Sequence, residues 1–379
     1  MDEWQVNDKV RRQKQEFAET YSREAGHQLI MELNPKLKWL EGQIASPSNS
    51  IEQAYDEIKM PISNIQLATA AFTAANVTHT KYQVMEVPAG QGKSRIAASI
   101  AYVVLNHSDA QVYMVYPNKG LKSRDEKEYA GFFSVLFKSE AKTRPRLHYL
   151  QGMASIKTNE DCVLIVDESD EVMFKNLLGF WRQINHSNRK VVCMTAASDD
   201  KYEKGVERQA IEAMGFEVYK NSSLKDHKPP TIHQEIDLSD ISKVLEVVRK
   251  QRETRGVLVY ANGEVLEELK KDPDFAVVTP ETSDEELRSM GLKKDSKYRV
   301  KLINTIYGSR ALDYRSFENS LGICLIVLSS SPSEREWLQL LNRVGRYNEE
   351  CLRIVNSKVE KVDQAAYIQF VGRVKADLK

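Results

Sequence analysis

The sequence predicts an α/β protein with two tandem parallel-sheet lobes behind an N-terminal helical segment. A β-prone run, Tyr82–Val87, leads through a glycine-rich turn into a helix-prone run, Arg95–Leu105. Four consecutive apolar residues, Val163–Val166, predict a strand buried on both faces, which is typical of parallel sheets. After a polar, proline-ended stretch at residues 221–230, strand-like and helix-like runs alternate again. This second alternation indicates a second parallel α/β lobe.

These features divide the chain into three domains. Residues 1–59 are rich in charge, and their apolar side chains recur at roughly helical spacing, which predicts helices. Residues 60–222 form the first lobe, and residues 223–379 form the second. Besides the runs above, the first lobe has a helix-prone run from Met60 and strand-like runs at Gln111–Tyr116, Arg146–Leu150 and Lys190–Thr195. The second lobe has predicted elements at Thr231–Glu235, Ile241–Gln251, Gly256–Tyr260, from Glu264, and at Phe275–Val278, Arg299–Ile303 and Leu321–Leu328.

The composition excludes several classes of protein. The 379 residues carry 54 basic and 54 acidic side chains, so nucleic-acid binding would require a local groove and not a global basic excess. The first residues do not form a signal peptide, and the longest apolar stretch is about half a membrane span. We therefore expect a cytoplasmic protein without a transmembrane segment. The scattered cysteines predict buried thiols and not a disulfide or zinc site: Cys162, Cys193, Cys324 and Cys351.

The turn before the helix-prone run at Arg95 has the residues of a phosphate cradle. Gly90 and Gly92 let backbone N–H groups approach phosphate oxygens, and the helix N-terminus adds partial positive charge. Lys93 is expected to reach the β and γ phosphates, and Ser94 to coordinate Mg²⁺. The pattern is a short form of the phosphate loop, and a glycine-rich turn with a chance Lys-Ser is the alternative.

Two carboxylates follow the apolar strand Val163–Val166 directly. Asp167 and Glu168 would be costly to bury unless positive charge met them, and Mg²⁺ on a nucleotide would supply that charge. We expect Asp167 to hold the metal and Glu168 to orient and deprotonate the attacking water. The alternative is the acidic start of a helix, which Asp170 and Glu171 also suit.

The second lobe carries candidate cations. A loop after a predicted strand offers Arg310 and Asp313, and a helix-prone run further on carries Arg343 and Arg346. The latter pair would share one helical face, and a guanidinium presented to a γ phosphate neutralises charge that grows in the transition state. Two arginines on a solvated helix are the alternative.

The order of these motifs resembles the two-lobed RecA-like motor of superfamily-two helicases. Within that group the motifs are similar to those of the SecA-type preprotein translocase ATPase, over about Met60 to Glu350. The resemblance implies that Gln66 reads the adenine edge by a paired hydrogen bond, with a solvated helix glutamine as the alternative. The motifs that carry the likeness are Ile65-Gln-Leu, Glu86-Val-Pro-Ala-Gly-Gln-Gly-Lys-Ser, the set Asn118, Leu121, Arg124 and Asp125, Val166-Asp-Glu-Ser-Asp, and Gln339-Leu-Leu-Asn-Arg-Val-Gly-Arg.

The resemblance implies a complete set of site residues. The catalytic residues would be Lys93, Glu168, Arg343 and Arg346, and the metal ligands would be Ser94 and Asp167. The expected nucleotide contacts are Gln66, Gly90, Gln91, Gly92, Lys93, Ser94, Arg95 and Asp313. The sequence departs from the family pattern at Pro61, Ala89, Ala311, Leu341 and Asn342.

These residues predict a motor ATPase. It would hydrolyse ATP with Mg²⁺ between two RecA-like lobes and move along a polymer, either unfolded protein or single-stranded nucleic acid. The translocase's preprotein-binding insertion and C-terminal scaffold have no counterpart here, so a partner protein is expected to supply missing domains, and peripheral membrane contact stays open. The alternatives are an RNA or DNA helicase proper, and a degenerate nucleotide-binding scaffold without turnover, which Ala89 and Asn342 favour.

Overall fold

The computed structural model describes most of the chain after residue 50, in two compact units. The first unit holds the described residues up to 220 together with 374–378, and the second holds those from 230 to 373. The helices predicted within residues 1–50 and the linker at 221–229 lie outside the described residues, and the predicted domain boundaries stay predictions. The described residues are 51, 53–60, 62–77, 80–87, 91–137, 146–153, 156, 160–196, 206–220, 230–279, 282, 300–305, 308, 314, 320–345 and 350–378.

The first unit is built on a six-stranded sheet in which all neighbouring strands are parallel. The strand order is β3-β2-β4-β5-β1-β6. The strands are β1 (Tyr82–Glu86), β2 (Gln111–Tyr116), β3 (Leu147–Gln151), β4 (Cys162–Val166), β5 (Arg189–Thr195) and β6 (Glu217–Lys220). The helices are α1 (Asn64–Asn76), α2 (Lys93–His107), α3 (Lys119–Glu128), α4 (Ala130–Leu136), α5 (Ser169–Lys175), α6 (Leu177–Ile184) and α7 (Val206–Ala213).

The apolar run on β4 explains its central place. All five of its residues are buried, and it pairs with β2 on one side and β5 on the other. A strand without polar alternation gains most when helices cover both faces of its sheet. The carboxyl end of β4 therefore delivers Asp167 and Glu168 to the same sheet edge as the turn after β1.

The second unit repeats this architecture. Its six strands are also parallel, in the order β7-β12-β11-β8-β10-β9. The two tandem parallel-sheet lobes predicted from the sequence are thus confirmed. The strands are β7 (Gln234–Ile236), β8 (Gly256–Tyr260), β9 (Ala276–Val277), β10 (Val300–Ile303), β11 (Ile323–Val327) and β12 (Cys351–Asn356). The helices are α8 (Ile241–Arg252), α9 (Gly263–Leu269), α10 (Glu334–Leu341) and the first part of α11 (Gln364–Asp377), which from Val374 on belongs to the first unit.

Alternate residues of β8 show that both faces of the second sheet are covered. Val257 and Val259 belong to one buried cluster, while Leu258 and Tyr260 belong to another. Side chains along a strand alternate between faces, so the two clusters lie on opposite sides of the sheet. This is the arrangement that a parallel sheet requires.

Residues 53–57 are helical and pack onto the first unit. Tyr55 is fully buried, its ring stacks on Phe132 with centroids 4.3 Å apart, and its hydroxyl donates to the carbonyl of Arg95 at 2.8 Å. The described end of the predicted N-terminal helical segment therefore supports the first turn of α2.

Gly322 gives a test of the second sheet. Its φ is +82°, and a Cβ there would lie 1.7 Å from the carbonyl oxygen of Glu350, immediately before β12. We expect Gly322→Ala to lower the free energy of unfolding by more than about 2 kcal/mol, because backbone must move and a left-handed alanine is strained. Thermal unfolding followed by circular dichroism measures the change.

Gly372→Ala is the matched control. This exposed glycine lies inside α11, where a Cβ would meet nothing within 4 Å. Alanine there should stabilise by about 0.5–1 kcal/mol through helix propensity. Equal unfolding temperatures for the two alanine variants would contradict the close approach at Gly322.

Candidate functional site

The turn between β1 and α2 needs glycine at position 92. Gly92 is the N-cap of α2 with φ +77°, and a Cβ there would lie 2.1 Å from Nε2 of Gln66. A residue with a side chain would be strained by the backbone and would displace Gln66. Gly90 lies outside the described residues.

Gln66 ties α1 to this turn through its amide nitrogen and caps α1 through its amide oxygen. Its Nε2 donates to the carbonyl of Gln91 at 2.7 Å, and its Oε1 accepts from the backbone N–H of Ser63 at 2.8 Å. The Ser63 hydroxyl completes a capping box by accepting from the Gln66 N–H at 3.3 Å. The adenine role of Gln66 stays a prediction, and adenine would have to replace these two partners.

Lys93 lies at the start of α2 and contacts both predicted carboxylates. Its Nζ is 2.5 Å from Oε1 of Glu168 and 3.5 Å from Oδ1 of Asp167. Burial pushes the pKa of Lys93 down, but the two carboxylates together outweigh burial and raise it. Lys93 is therefore charged. The fold brings Lys93, Asp167 and Glu168 together, as the sequence predicted.

Asp167 sits at the buried carboxyl end of β4. Its backbone N–H donates to the carbonyl of Val115 at 2.9 Å, which continues the sheet by one residue. Burial raises the pKa of its side chain to about 6, although Lys93 opposes the shift. Among the described residues its Oδ1 accepts no hydrogen bond, and its near neighbour is Nζ of Lys93 at 3.5 Å. An ionised carboxylate with so few partners is costly to bury, so the atom suits a cation.

Glu168 occupies a strained backbone conformation. Its φ of 45° is left-handed, which is unusual for a residue with a side chain. Glu168 is the N-cap of α5, although its side chain makes no cap hydrogen bond, and Asp170 and Glu171 lie in the first turn as the acidic-helix-start alternative expects. Strain of this kind costs about 1–3 kcal/mol and is concentrated at functional sites. Here it turns the carboxylate toward Lys93.

Ser94 adjoins an ion pair on α3. Nη2 of Arg124 donates to the Ser94 hydroxyl at 3.4 Å and lies 2.6 Å from Oδ1 of Asp125, which Nε of Arg124 also contacts at 2.7 Å. Burial raises the pKa of Asp125, whereas bonds from Arg124 and Ser94 oppose that rise. The Ser94 hydroxyl thus has polar neighbours on two sides.

The charges around this edge suit a divalent cation. Among the described residues, two cations lie among buried carboxylates, so the cluster carries net negative charge: Lys93 and Arg124 with Asp125, Asp167, Glu168 and Asp170. Oxygen ligands are those that Mg²⁺ prefers, and it is usually held through one or two carboxylates plus substrate phosphates. Ser94 and Asp167 therefore fit the metal predicted for them.

The end of β5 lies between β1 and β4 in the sheet and joins both. The Thr195 hydroxyl donates to Oδ1 of Asp170 at 2.9 Å, and the Thr195 carbonyl accepts from the N–H of Val87 at 2.9 Å. Asp170 therefore supports the start of α5 from a buried position. The turn that follows, at residues 197–200, lies outside the described residues.

In the second unit, the helix predicted to carry both arginines is shorter than expected. α10 ends at Leu341, so the prediction that Arg343 lies on this helix is wrong. Arg343 lies in the turn that follows, where it is buried and its backbone N–H donates to the carbonyl of Leu340. Asn342 is the C-cap of α10, and Gly345, with φ +76°, follows three residues later in the turn. Arg310, Asp313 and Arg346 lie outside the described residues.

Arg353 of β12 holds the turn that carries Arg343. Its guanidinium donates to the carbonyls of Leu341 at 2.8 Å, Val344 at 2.9 Å and Thr231 at 3.3 Å. Sequence reasoning missed this residue. The available signal was a charged side chain inside the apolar run Cys351–Asn356, since a buried arginine needs acceptors.

The fold matches solved helicase structures at low sequence identity. Dbp5 of S. cerevisiae, solved with RNA and ADP BeF3, aligns at a TM-score of 0.58 and 9% identity, over 87% of this chain and 91% of that one. The DEAD-box helicase Mss116, with ssRNA and UDP-BeF, aligns at 0.55 and 13%, over 85% and 79%. Helicase Lhr of Mycobacterium smegmatis, with ssDNA and AMP-PNP, aligns at 0.50 and 13%, over 82% and 48%. The sequence matches no known family profile and no curated protein.

The class of fold follows from these likenesses. The chain shares with these structures a fold of two tandem RecA-like parallel-sheet lobes. The finer SecA-type likeness rests on the motifs alone. Within the described residues, no helix is both long and apolar enough to cross a bilayer.

Arg353 gives a test of the turn. We expect Arg353→Lys to lower the free energy of unfolding by about 1–3 kcal/mol, because an ammonium cannot serve three carbonyls spread around a planar fork. Denaturant unfolding measures it. Arg249→Lys is the control, since Arg249 is 58% exposed and its Nε is 3.9 Å from its partner Asp274. A loss no larger for Arg353→Lys than for the control would contradict the role given to the guanidinium.

Proposed function

We propose that the chain is the ATP-hydrolysing core of a helicase-type motor that moves along single-stranded nucleic acid. One observation carries the proposal: Lys93 contacts both Asp167 and Glu168 at the sheet edge behind the left-handed Gly92 turn. A lysine and two carboxylates at a helix N-terminus form a set that binds a triphosphate and its metal.

Each residue of this cluster has a proposed role. Lys93 binds the β and γ phosphates, while Ser94 and Asp167 hold Mg²⁺, which would neutralise charge on phosphate oxygens. Contact with phosphate draws Lys93 away from Glu168. The Glu168 carboxylate is then free to orient the attacking water and take its proton. The turn residues Gly90, Gln91 and Gly92 contribute backbone N–H groups, and Gln66 and Arg95 complete the nucleotide contacts.

The second unit is proposed to supply the remaining groups. Arg343 and Arg346 would neutralise charge that grows on the γ phosphate, and Asp313 would contact the nucleotide. A backbone turn that is held in place is suited to carry such a group, because it limits the rearrangement needed when charge develops. The bonds of Arg353 to Leu341 and Val344 support that reasoning for Arg343.

The choice of nucleic acid rests on the structural likenesses. The three helicase structures described above were solved with RNA or ssDNA, whereas the motifs resemble those of a protein translocase. Unfolded polypeptide is therefore the second candidate substrate. In either case a partner protein would supply the domains that translocation needs beyond the core.

Turnover should depend on the carboxylate pair and the lysine. We expect Glu168→Gln to lower the rate of phosphate release from ATP by at least about 100-fold, because the general base is lost. Lys93→Ala should abolish turnover, and Arg343→Ala and Arg346→Ala should lower it while ADP affinity is kept. Glu212→Gln is the control, since this glutamate is 56% exposed and pairs only with Arg208 among its described ion-pair contacts. Wild-type rates in Glu168→Gln would refute the hydrolytic role.

The polymer is identified by which one stimulates hydrolysis. Phosphate release is measured with single-stranded RNA, single-stranded DNA or a reduced, unfolded polypeptide at equal mass. We expect single-stranded nucleic acid to raise the rate at least severalfold, and the Glu168→Gln variant to show no such rise. Stimulation by polypeptide alone would favour the SecA-like candidate over the helicase.

A further inference from the structure

The pair Arg124 and Asp125 has no role in the function proposed above, yet it touches the predicted metal ligand. Asp125 is 1% exposed, and its Oδ1 receives both Nε and Nη2 of the neighbouring guanidinium. Glu128, one turn further along α3, has a carboxylate oxygen 3.9 Å from Nε of Arg124. The guanidinium is therefore fixed from one side by α3 itself.

The other side of the guanidinium reaches the phosphate turn. Nη2 of Arg124 donates to Oγ of Ser94 in the first turn of α2. An ion pair that served only to hold α3 would not need a contact on a neighbouring helix. The contact joins the residue after the phosphate-binding lysine to the helix that follows β2.

The contact matters because a hydroxyl can form only a few hydrogen bonds. A serine hydroxyl has one proton to donate and two lone pairs with which to accept. Arg124 occupies one lone pair of the Ser94 hydroxyl, and Arg124 is itself held by the Asp125 carboxylate. The bond from Arg124 therefore restricts how the hydroxyl can turn, and it leaves the second lone pair for a further ligand.

We propose that Arg124 is a positioning residue for Ser94, which it holds, together with Asp125, in the orientation that presents a lone pair to Mg²⁺. The inference rests on the proposed function, because it takes Ser94 as a metal ligand. A guanidinium is suited to the task, since its planar fork contacts the carboxylate through two nitrogens and the hydroxyl through one of them. A lysine at this position would offer one nitrogen in place of the fork.

The test compares ADP affinity with Mg²⁺ and with EDTA, by isothermal titration calorimetry. In the wild type, affinity should be higher with Mg²⁺, and the ratio of the two affinities is the metal-dependent gain. Arg124→Gln should reduce this gain by about fivefold, the usual worth of one hydrogen bond, and leave the affinity in EDTA unchanged. Arg124→Lys should reduce it as well, because charge without the fork does not orient the hydroxyl.

A double-variant cycle separates positioning from general stability. Ser94→Ala should also reduce the gain, and Arg124→Gln combined with Ser94→Ala should reduce it no further than Ser94→Ala alone, because both act through one hydroxyl. Arg208→Gln is the control, since Arg208 forms an ion pair with Glu212 on α7 of the same unit. It should leave both affinities unchanged.

Folding is monitored by thermal unfolding of each variant. Removing one partner of a buried pair leaves the other charge uncompensated. If Arg124→Gln is poorly folded, Arg124→Gln combined with Asp125→Asn removes both charges and should still lose the gain. Equal losses with Mg²⁺ and with EDTA, or an unchanged gain, would overturn the inference.

The outcomes distinguish the inference from the function on which it rests. A wild type that binds no ADP under either condition would refute the proposed function. A wild type that binds ADP with a metal-dependent gain that survives Arg124→Gln would refute only the positioning role. A wild type that binds ADP equally with Mg²⁺ and EDTA would also overturn that role, while nucleotide binding would stand.

Discussion

The buried contact of Lys93 with Asp167 and Glu168 is the interaction on which the rest of the first unit depends. Taking three charges out of water is unfavourable, and only close pairing offsets that cost. The fold supplies the closeness by placing the turn after β1 and the end of β4 at one sheet edge. Neither the turn nor the strand end would be stable in this form without the other.

The need to pair these buried charges also explains the unusual backbone conformations at the site. Gly92 and Glu168 both adopt left-handed conformations, but for different reasons. At Gly92 the chain must pass close to Gln66, so a side chain is excluded. At Glu168 the side chain is required, and the unfavourable conformation is retained because it directs the carboxylate to Lys93. At the site the strain therefore falls on Glu168, because glycine adopts a left-handed conformation readily.

Much of the fold and of the ion cluster could be predicted from the sequence. The physical reasons for that success also limit what the sequence can predict. Apolar runs such as Val163–Val166 predict buried parallel strands directly, because a strand covered on both faces loses its polar alternation. Motif spacing then placed Lys93, Asp167 and Glu168 together, as the structure shows. Local patterns say nothing about contacts between distant side chains, however. The link from Arg124 to Ser94 and the bonds of Arg353 to three carbonyls emerge only in the folded chain.

Helix ends were the weakest part of the prediction at the site. The run Glu336–Arg346 has few strong breakers, so its helical pattern extends past Leu341, where the helix stops. Asn342 is the C-cap at that end, and the carbonyls of Leu341 and Val344 accept from the buried guanidinium of Arg353. The first of these was readable as a helix-stop signal, whereas the second depends on β12 lying alongside.

The packing of Tyr55 bears on how the first unit can be isolated. A recombinant fragment begun at Met60, where sequence patterns place the lobe boundary, would lack the ring that covers Phe132 and the hydroxyl that satisfies the Arg95 carbonyl. Such a fragment would expose apolar surface behind the phosphate turn. A fragment of this unit should therefore start upstream of Ile51, so that the short helix at residues 53–57 still covers the apolar surface beneath it.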